Sequence, residues 1–134
     1  MALALIKLNG NSLSYSSAGV PPLLIYRSQI NEVQEVLAEG LPLGLKTTGK
    51  YSAHDLELLS GDTILLMTDG LPERLNHDGH EFGYARTMST FREIAHNGVD
   101  RICELLAAAG DEWANGCEQE DDISFAVLKY RPKQ

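Results

Sequence analysis

The sequence predicts an α+β fold, in which an antiparallel sheet is covered by helices. Three observations predict it. Short apolar or alternating segments, typical of strands, occupy residues 2–68. Two segments with apolar residues three and four positions apart, typical of helices, follow at 83–96 and 99–114. A last strand segment comes at 123–130. Strands grouped before helices favour this class over an alternating parallel fold.

The first segments are expected to form an antiparallel meander. Residues 2–8 precede Asn9-Gly10, a strong hairpin signal, and Leu13–Ser17 alternates as a return strand should. Pro21-Pro22 interrupts the pattern because proline removes a backbone donor, and Leu23–Tyr26 is the next strand.

The middle of the chain contains two more strands around a loop. Residues 30–38 indicate an extended segment, and the Gly- and Pro-rich loop 39–45 is expected to rest its leucines on the core. Tyr51–Leu59 alternates, Gly61-Asp62 marks a turn, and the uncharged run Thr63–Thr68 has the character of a buried strand.

Two helices and a loop separate that buried strand from the last one. The first helix, 83–96, has an apolar face formed by Ala85, Met88, Phe91 and Ala95. Asn97-Gly98 is expected to end it, with Gly98 in a left-handed cap. The second, 99–114, carries Cys103 as a buried core thiol, and 115–120 is a polar loop.

Length and charge bound the function. The 134 residues suit one domain, 1–134, and the net charge of −8 argues against nucleic acid or an anionic membrane as the main partner. No apolar run reaches transmembrane length, the start does not have a signal-peptide pattern, and the two cysteines form no zinc spacing. These features predict a cytoplasmic, soluble protein.

Two acidic sites at strand ends are candidates for chemistry. Asp69 follows the buried strand and precedes Gly70, which suits either a simple turn or a rigidly held metal ligand. Asp121-Asp122 leads into the last strand and is either a solvated turn or a second ligand pair. If the two strands are antiparallel neighbours, these acids meet at one edge. Clustered carboxylates there would bind Mg²⁺ or Mn²⁺, which can activate water for attack on a phosphate.

Four sequence blocks resemble those of one family, in the same order. The blocks are Ala18–Leu24 (AGVPPLL), Gly40–Gly44 (GLPLG), Gly61–Gly83 (GD, TDGL, then FG) and Asp121–Ser124 (DDIS). They resemble those of the bacterial metal-dependent serine/threonine phosphatases of the stage II sporulation protein E and RsbU type, which are related to protein phosphatase 2C. The resemblance covers essentially the whole chain.

The resemblance implies an αββα sandwich of antiparallel sheets with flanking helices, and dephosphorylation of phosphoserine or phosphothreonine with two Mn²⁺ or Mg²⁺ ions. Asp69 and Asp121 match metal ligands of the family, with Asp122 and Gly70 as possible further or supporting ligands. Arg74 could contact substrate phosphate, although an exposed arginine in a helical turn is the simpler account. Substrates would be regulatory phosphoproteins of the anti-anti-sigma kind.

Two departures from the family pattern bear on activity. Val20 stands where the family usually has His, and the metal ligands of the family's N-terminal half have no match. We therefore expect the chain to be the C-terminal part of the domain, apparently missing its N-terminal part, and weak or inactive alone. A non-catalytic interaction or dimerisation module is the alternative. Self-association is expected in either case, because part of a sandwich leaves apolar sheet surface uncovered.

Overall fold

Two antiparallel sheets and two helices form the structure, a computed structural model that describes residues 1–133. The predicted α+β class is confirmed. In chain order the elements are β1 (Leu3–Asn9), β2 (Ser12–Ala18), β3 (Leu23–Arg27), β4 (Glu32–Val36), β5 (Ala53–Glu57), β6 (Thr63–Met67), α1 (Tyr84–Ile94), α2 (Val99–Ala114) and β7 (Phe125–Lys129).

The strands divide into two sheets. Sheet A has the order β1-β2-β5, and sheet B has the order β4-β3-β6-β7. The hairpin at Asn9-Gly10 is confirmed, with Gly10 at a φ of 61°. The single meander is wrong, because β3 pairs with β4 and β6 and not with β2. Pro21-Pro22, which has no N–H groups to continue a ladder, lies where the chain passes from sheet A to sheet B.

The core has two layers, one on each face of sheet B. Leu13, Ile25 and Ile64 are among the buried side chains between the two sheets. Leu65 and Phe91 belong to the second layer, between sheet B and the helices. Within residues 1–133 the helices therefore cover sheet B alone. The αββα arrangement has helices on both outer faces, and the described residues supply those of one face.

No helix covers the outer face of sheet A in the part of the chain that the structure describes, and only loop residues such as Leu43 and Tyr51 lie beside it. Ala4 and Ile6 of β1 point toward the core between the sheets, so Leu3 and Leu5 lie on the opposite face. The side chain of Leu5 is 61% exposed. Neither α1 nor α2 is long and apolar enough to cross a membrane.

Three local expectations are wrong: those for the loop leucines, for Ala85 on α1 and for Gly98. The loop leucines Leu41 and Leu45 are exposed, because the loop is tied to the surface through Leu43 N–H, which donates to the Met1 carbonyl at 2.7 Å. On α1, Ala85 is exposed and Thr87 is buried instead.

Gly98 is not the left-handed cap of the first helix. It has a φ of −67° and forms the N-cap of α2. Asn97 closes the end of α1 instead, since its main-chain N–H and its side-chain amide both donate to the Ile94 carbonyl.

Candidate metal site at two strand ends

The strands β6 and β7 are antiparallel neighbours, as the sequence predicted, and they pair as far as Met67 with Phe125. Beyond that pair, Thr68 N–H donates to the Ser124 carbonyl at 3.1 Å. The Thr68 hydroxyl donates to the Asp122 carbonyl at 3.1 Å and accepts from Ser124 N–H at 3.0 Å. These bonds hold the end of β6 against the segment that leads into β7.

Gly70 packs directly against that segment. A Cβ atom at this position would lie 2.3 Å from the Asp122 carbonyl oxygen and 3.0 Å from its carbon. Because no real side chain tolerates such distances, glycine is the residue that permits this approach. The predicted turn Asp69-Gly70 thus has a second role, which is to let the two chain segments come together.

Three carboxylates meet at this edge of sheet B. Carboxylate oxygens of Asp69, Glu73 and Asp121 all lie within 4.8 Å of one another, and the three side chains are exposed. Glu73 joins the cluster because its N–H donates to the Asp69 carbonyl at 3.0 Å, which closes a helical turn after β6. The structure therefore brings the two predicted acids together and adds a third one that sequence reasoning did not assign as a ligand.

The electrostatics of the cluster favour a cation. The negative charge of Asp69 is the main cause that raises the pKa of Glu73, followed by partial desolvation and by the charges of Glu81 and Asp121. Burial raises the pKa of Tyr84, and the charge of Asp69 adds to that shift. Carboxylates crowded in this way repel one another, and a divalent ion between them would remove the repulsion. An all-oxygen donor set suits a hard ion such as Mg²⁺ or Mn²⁺.

The other predicted site residues lie beside the cluster rather than in it. The carboxylate of Asp122 is not one of the three clustered carboxylates. The backbone N–H of Asp122, however, donates to Asp121 Oδ1 at 2.8 Å and so helps to orient the Asp121 side chain. Gly70 contributes backbone only. A direct role for Asp122 or Gly70 as a metal ligand stays a prediction.

Arg74 is not the exposed arginine that the simpler expectation described. Its side chain is only 9% exposed, and its Nη2 donates to the Cys117 carbonyl at 3.1 Å. Arg74 also lines a cavity of about 60 Å³ with Glu73 and Asp121. Its contact with substrate phosphate stays a prediction.

The chain is similar in sequence to a family of known proteins and to two of its members. Residues 1–131 match the family described as Stage II sporulation protein E (SpoIIE). The chain is 32% identical over 136 residues to Phosphoserine phosphatase RsbU of Bacillus subtilis, covering 96% of this chain and 38% of RsbU. It is 27% identical over 128 residues to Stage II sporulation protein E of the same organism, covering 95% of this chain and 15% of that protein.

A solved structure has the same fold. The phosphatase domain of the cell fate determinant SpoIIE from Bacillus subtilis, described as Mn presoaked, superposes with a TM-score of 0.71 at 21% identity. The match covers 100% of this chain and 59% of that one. The chain thus spans well under half the length of the two curated relatives and a little over half of this solved chain.

Proposed function

The chain belongs to the Stage II sporulation protein E family, and from this premise we propose that it forms the metal-binding edge of a protein serine/threonine phosphatase domain. The observation that carries the proposal is the cluster of Asp69, Glu73 and Asp121, whose carboxylate oxygens lie within 4.8 Å of one another. The reaction is hydrolysis of a phosphomonoester on a protein.

The three carboxylates suit one divalent ion. Mg²⁺ and Mn²⁺ take oxygen ligands, and such an ion, when bound, would polarise a phosphoryl oxygen and lower the pKa of a coordinated water. Asp69 and Asp121 are held on the ends of paired strands, so their separation is set by sheet B. Three single-oxygen ligands fill only about half of a six-coordinate shell. We therefore propose weak ion binding and slow turnover by these residues alone.

A phosphoserine on a regulatory protein is the proposed substrate. RsbU, the relative at 32% identity, is named a phosphoserine phosphatase. We extend that substrate class to this chain, with an anti-anti-sigma-like protein as the kind of partner that the sequence resemblance implies. The proposed location is the cytoplasm, in keeping with the two free cysteines Cys103 and Cys117.

Ion binding and hydrolysis test the proposal together. Calorimetry with Mn²⁺ is expected to give saturable binding that weakens at least tenfold in Asp69→Asn, Glu73→Gln and Asp121→Asn. Asp78→Asn is the matched control, because Asp78 is an exposed acid outside the cluster. Turnover of p-nitrophenyl phosphate is expected to be slow and to vanish in Asp69→Asn. Absence of Mn²⁺ binding, or equal binding by all four variants, would overturn the proposal.

A non-catalytic interaction module is the second candidate. The presence of Val20 where the resembled family usually has His favours it, as does the exposure of all three carboxylates. The same Mn²⁺ titration separates the candidates, since a module gains nothing from an Asp69-dependent ion. Robust turnover by this chain, abolished by Asp69→Asn, would exclude the module and also contradict the expected weak activity.

A further inference from the structure

The outer edge of β1 carries backbone groups that no strand within residues 1–133 pairs with. Sheet A has the order β1-β2-β5, so β1 is paired on one side only. Leu58 N–H donates to the Asn11 carbonyl at 2.7 Å, so the odd-numbered residues from position 11 to the end of β2 direct their N–H and C=O groups toward β5. The even-numbered residues of β2 therefore bond to β1, where their partners are odd-numbered. The N–H and C=O groups of Ala4, Ile6 and Leu8 consequently point away from β2.

β1 lacks the features by which edge strands normally avoid pairing with another chain. Proteins protect such strands by short length, by charged residues or by proline. The other edge strands, β4, β5 and β7, have five residues each, whereas β1 has seven. β4 and β5 each contain two acidic residues, and β7 runs into Arg131-Pro132. Lys7 is the single charged residue of β1, so β1 is the least protected of these edges.

The side chains along this edge are apolar and incompletely covered. Leu5, on the outer face of sheet A, is 61% exposed, and Leu8 near the end of β1 is 48% exposed. Ala4 and Ile6 pack against the core between the sheets but are only partly buried. Apolar side chains beside unpaired backbone groups form a surface that a strand of another chain can cover.

We propose that β1 pairs with β1 of a second copy of this chain, antiparallel and about a two-fold axis, so that sheet A continues across both copies. Full overlap of Leu3–Asn9 with its counterpart places Ile6 opposite Ile6 of the second copy. Ala4 then exchanges hydrogen bonds with Leu8 of the second copy, so every outward-facing backbone group of β1 gains a partner. The inference does not rest on the proposed phosphatase activity, because β1 belongs to sheet A and the carboxylate cluster to sheet B.

The sequence of β1 is complementary to itself in this register, which is why a second copy is the proposed partner. Lys7 lies opposite Leu5 of the second copy, so no two lysines face each other directly across the strand pair. Ile6 packs beside its counterpart, and Leu8 covers Ala4 of the second copy. A register shifted by two residues toward the end of β1 would instead place the two Lys7 side chains directly opposite each other, where like charges repel.

Amide hydrogen exchange in the ¹⁵N-labelled full chain tests the pairing residue by residue. The odd-numbered amides of β1 bond to β2 and should be protected at every protein concentration. The amides of Ala4, Ile6 and Leu8 are expected to exchange at least tenfold more slowly at concentrations where sedimentation velocity shows a dimer than where it shows a monomer. The net charge of −8 on each copy opposes association, so the dimer should also tighten as salt screens that repulsion.

Proline at one outward-facing amide separates pairing from folding. Ala4→Pro removes an N–H that points away from β2, and it therefore leaves the β1–β2 hydrogen bonds intact. We expect this variant to dimerise at least tenfold more weakly. Ala53→Pro is the matched control, because the N–H of Ala53 points outward from β5 at the opposite edge of sheet A. The control should dimerise as the wild type does.

Three results would overturn the inference. A wild-type chain that stays monomeric at every concentration has no such interface. A dimer in which Ala4, Ile6 and Leu8 exchange as fast as in the monomer associates through another surface, such as the outer face of sheet A. A dimer that Ala4→Pro leaves intact, or that Ala53→Pro weakens equally, does not depend on the edge of β1. Should Ala4→Pro not fold by circular dichroism, the exchange pattern of the wild-type chain decides the matter.

Discussion

Replacing Gly70 by alanine tests whether close backbone approach builds the metal site. The added Cβ would lie 2.3 Å from the Asp122 carbonyl oxygen and 3.1 Å from Ile123 Cγ1. Carbon–oxygen contacts normally begin at about 3.3 Å, so the two segments must separate by about 1 Å. The φ of Gly70 is not positive, which means that the clash alone, and not backbone strain, opposes the substitution.

The loss of stability in Gly70→Ala has two sources, an overpacked contact and a broken hydrogen bond. Overpacking in a close contact costs about 1–3 kcal/mol, and the Thr68 hydroxyl bond to the Asp122 carbonyl adds about 1 kcal/mol if it is lost. We expect Gly70→Ala to lower the free energy of unfolding by about 2–4 kcal/mol. Since ligand distances to an ion tolerate only about 0.2 Å, displacement of Asp121 from Asp69 should weaken Mn²⁺ binding at least tenfold.

Urea unfolding and calorimetry measure the two effects. Trp113 is the single tryptophan and packs edge-on against Phe82 with ring centroids 6.2 Å apart, so its fluorescence reports unfolding. Gly98→Ala is the matched control, because a Cβ there meets nothing within 4 Å. As an N-cap change it should cost less than about 1 kcal/mol and leave Mn²⁺ binding unchanged. A Gly70→Ala protein as stable as wild type and equal in Mn²⁺ affinity would refute the reasoning.

Three further outcomes are expected. Asp62 is fully buried and pairs with Arg27 at 2.6 Å. Asp62→Ala should therefore lower the free energy of unfolding by about 3–5 kcal/mol, because it leaves the Arg27 charge without its partner. A decrease under about 1 kcal/mol in urea unfolding would contradict this. Burial raises the pKa of the Cys103 thiol. In the Cys117→Ala protein, the rate at which Cys103 is alkylated should therefore keep rising with pH beyond the pH at which a small free thiol levels off. A plateau at the same pH as the free thiol would contradict this prediction. Self-association through the open face of sheet A should appear in sedimentation velocity and decrease in Leu5→Lys, whereas a sharp wild-type monomer at moderate concentration would count against it.

Local signals predicted most of the elements but not how they assemble. The hairpin at Asn9-Gly10 and the bounds of α2 depend on turn chemistry and apolar spacing within a few residues, and both are confirmed. The division into two sheets depends on which distant strands pair, and β3 pairs with β6 about forty positions later in the chain. No pattern within either strand specifies that choice, since both are simply short and apolar.

The candidate site shows the same division. Sequence reasoning named Asp69 and Asp121 from strand ends, and the family resemblance supported both. Glu73 was within reach, because a helical turn was expected around Arg74 and an acid four positions after Asp69 lies on the same side of such a turn, but no local signal assigned its carboxylate to the ion. Arg74 was expected to be exposed, as an arginine in a helical turn usually is, whereas its side chain is buried and donates to the Cys117 carbonyl in the loop after α2.

By itself, then, the sequence determined the class of fold, the strand that ends on Asp69 and the acidic segment that precedes the last strand. These depend on periodicity and turn chemistry, which act between near neighbours. Only the tertiary structure decided that Thr68 binds Asp122 across 54 positions, that Glu73 completes a group of three carboxylates and that Arg74 is buried beside them. Contacts of that range depend on how β6 and β7 pair and on a glycine that lets them approach, and the energy of such pairing belongs to the assembled core rather than to any one segment.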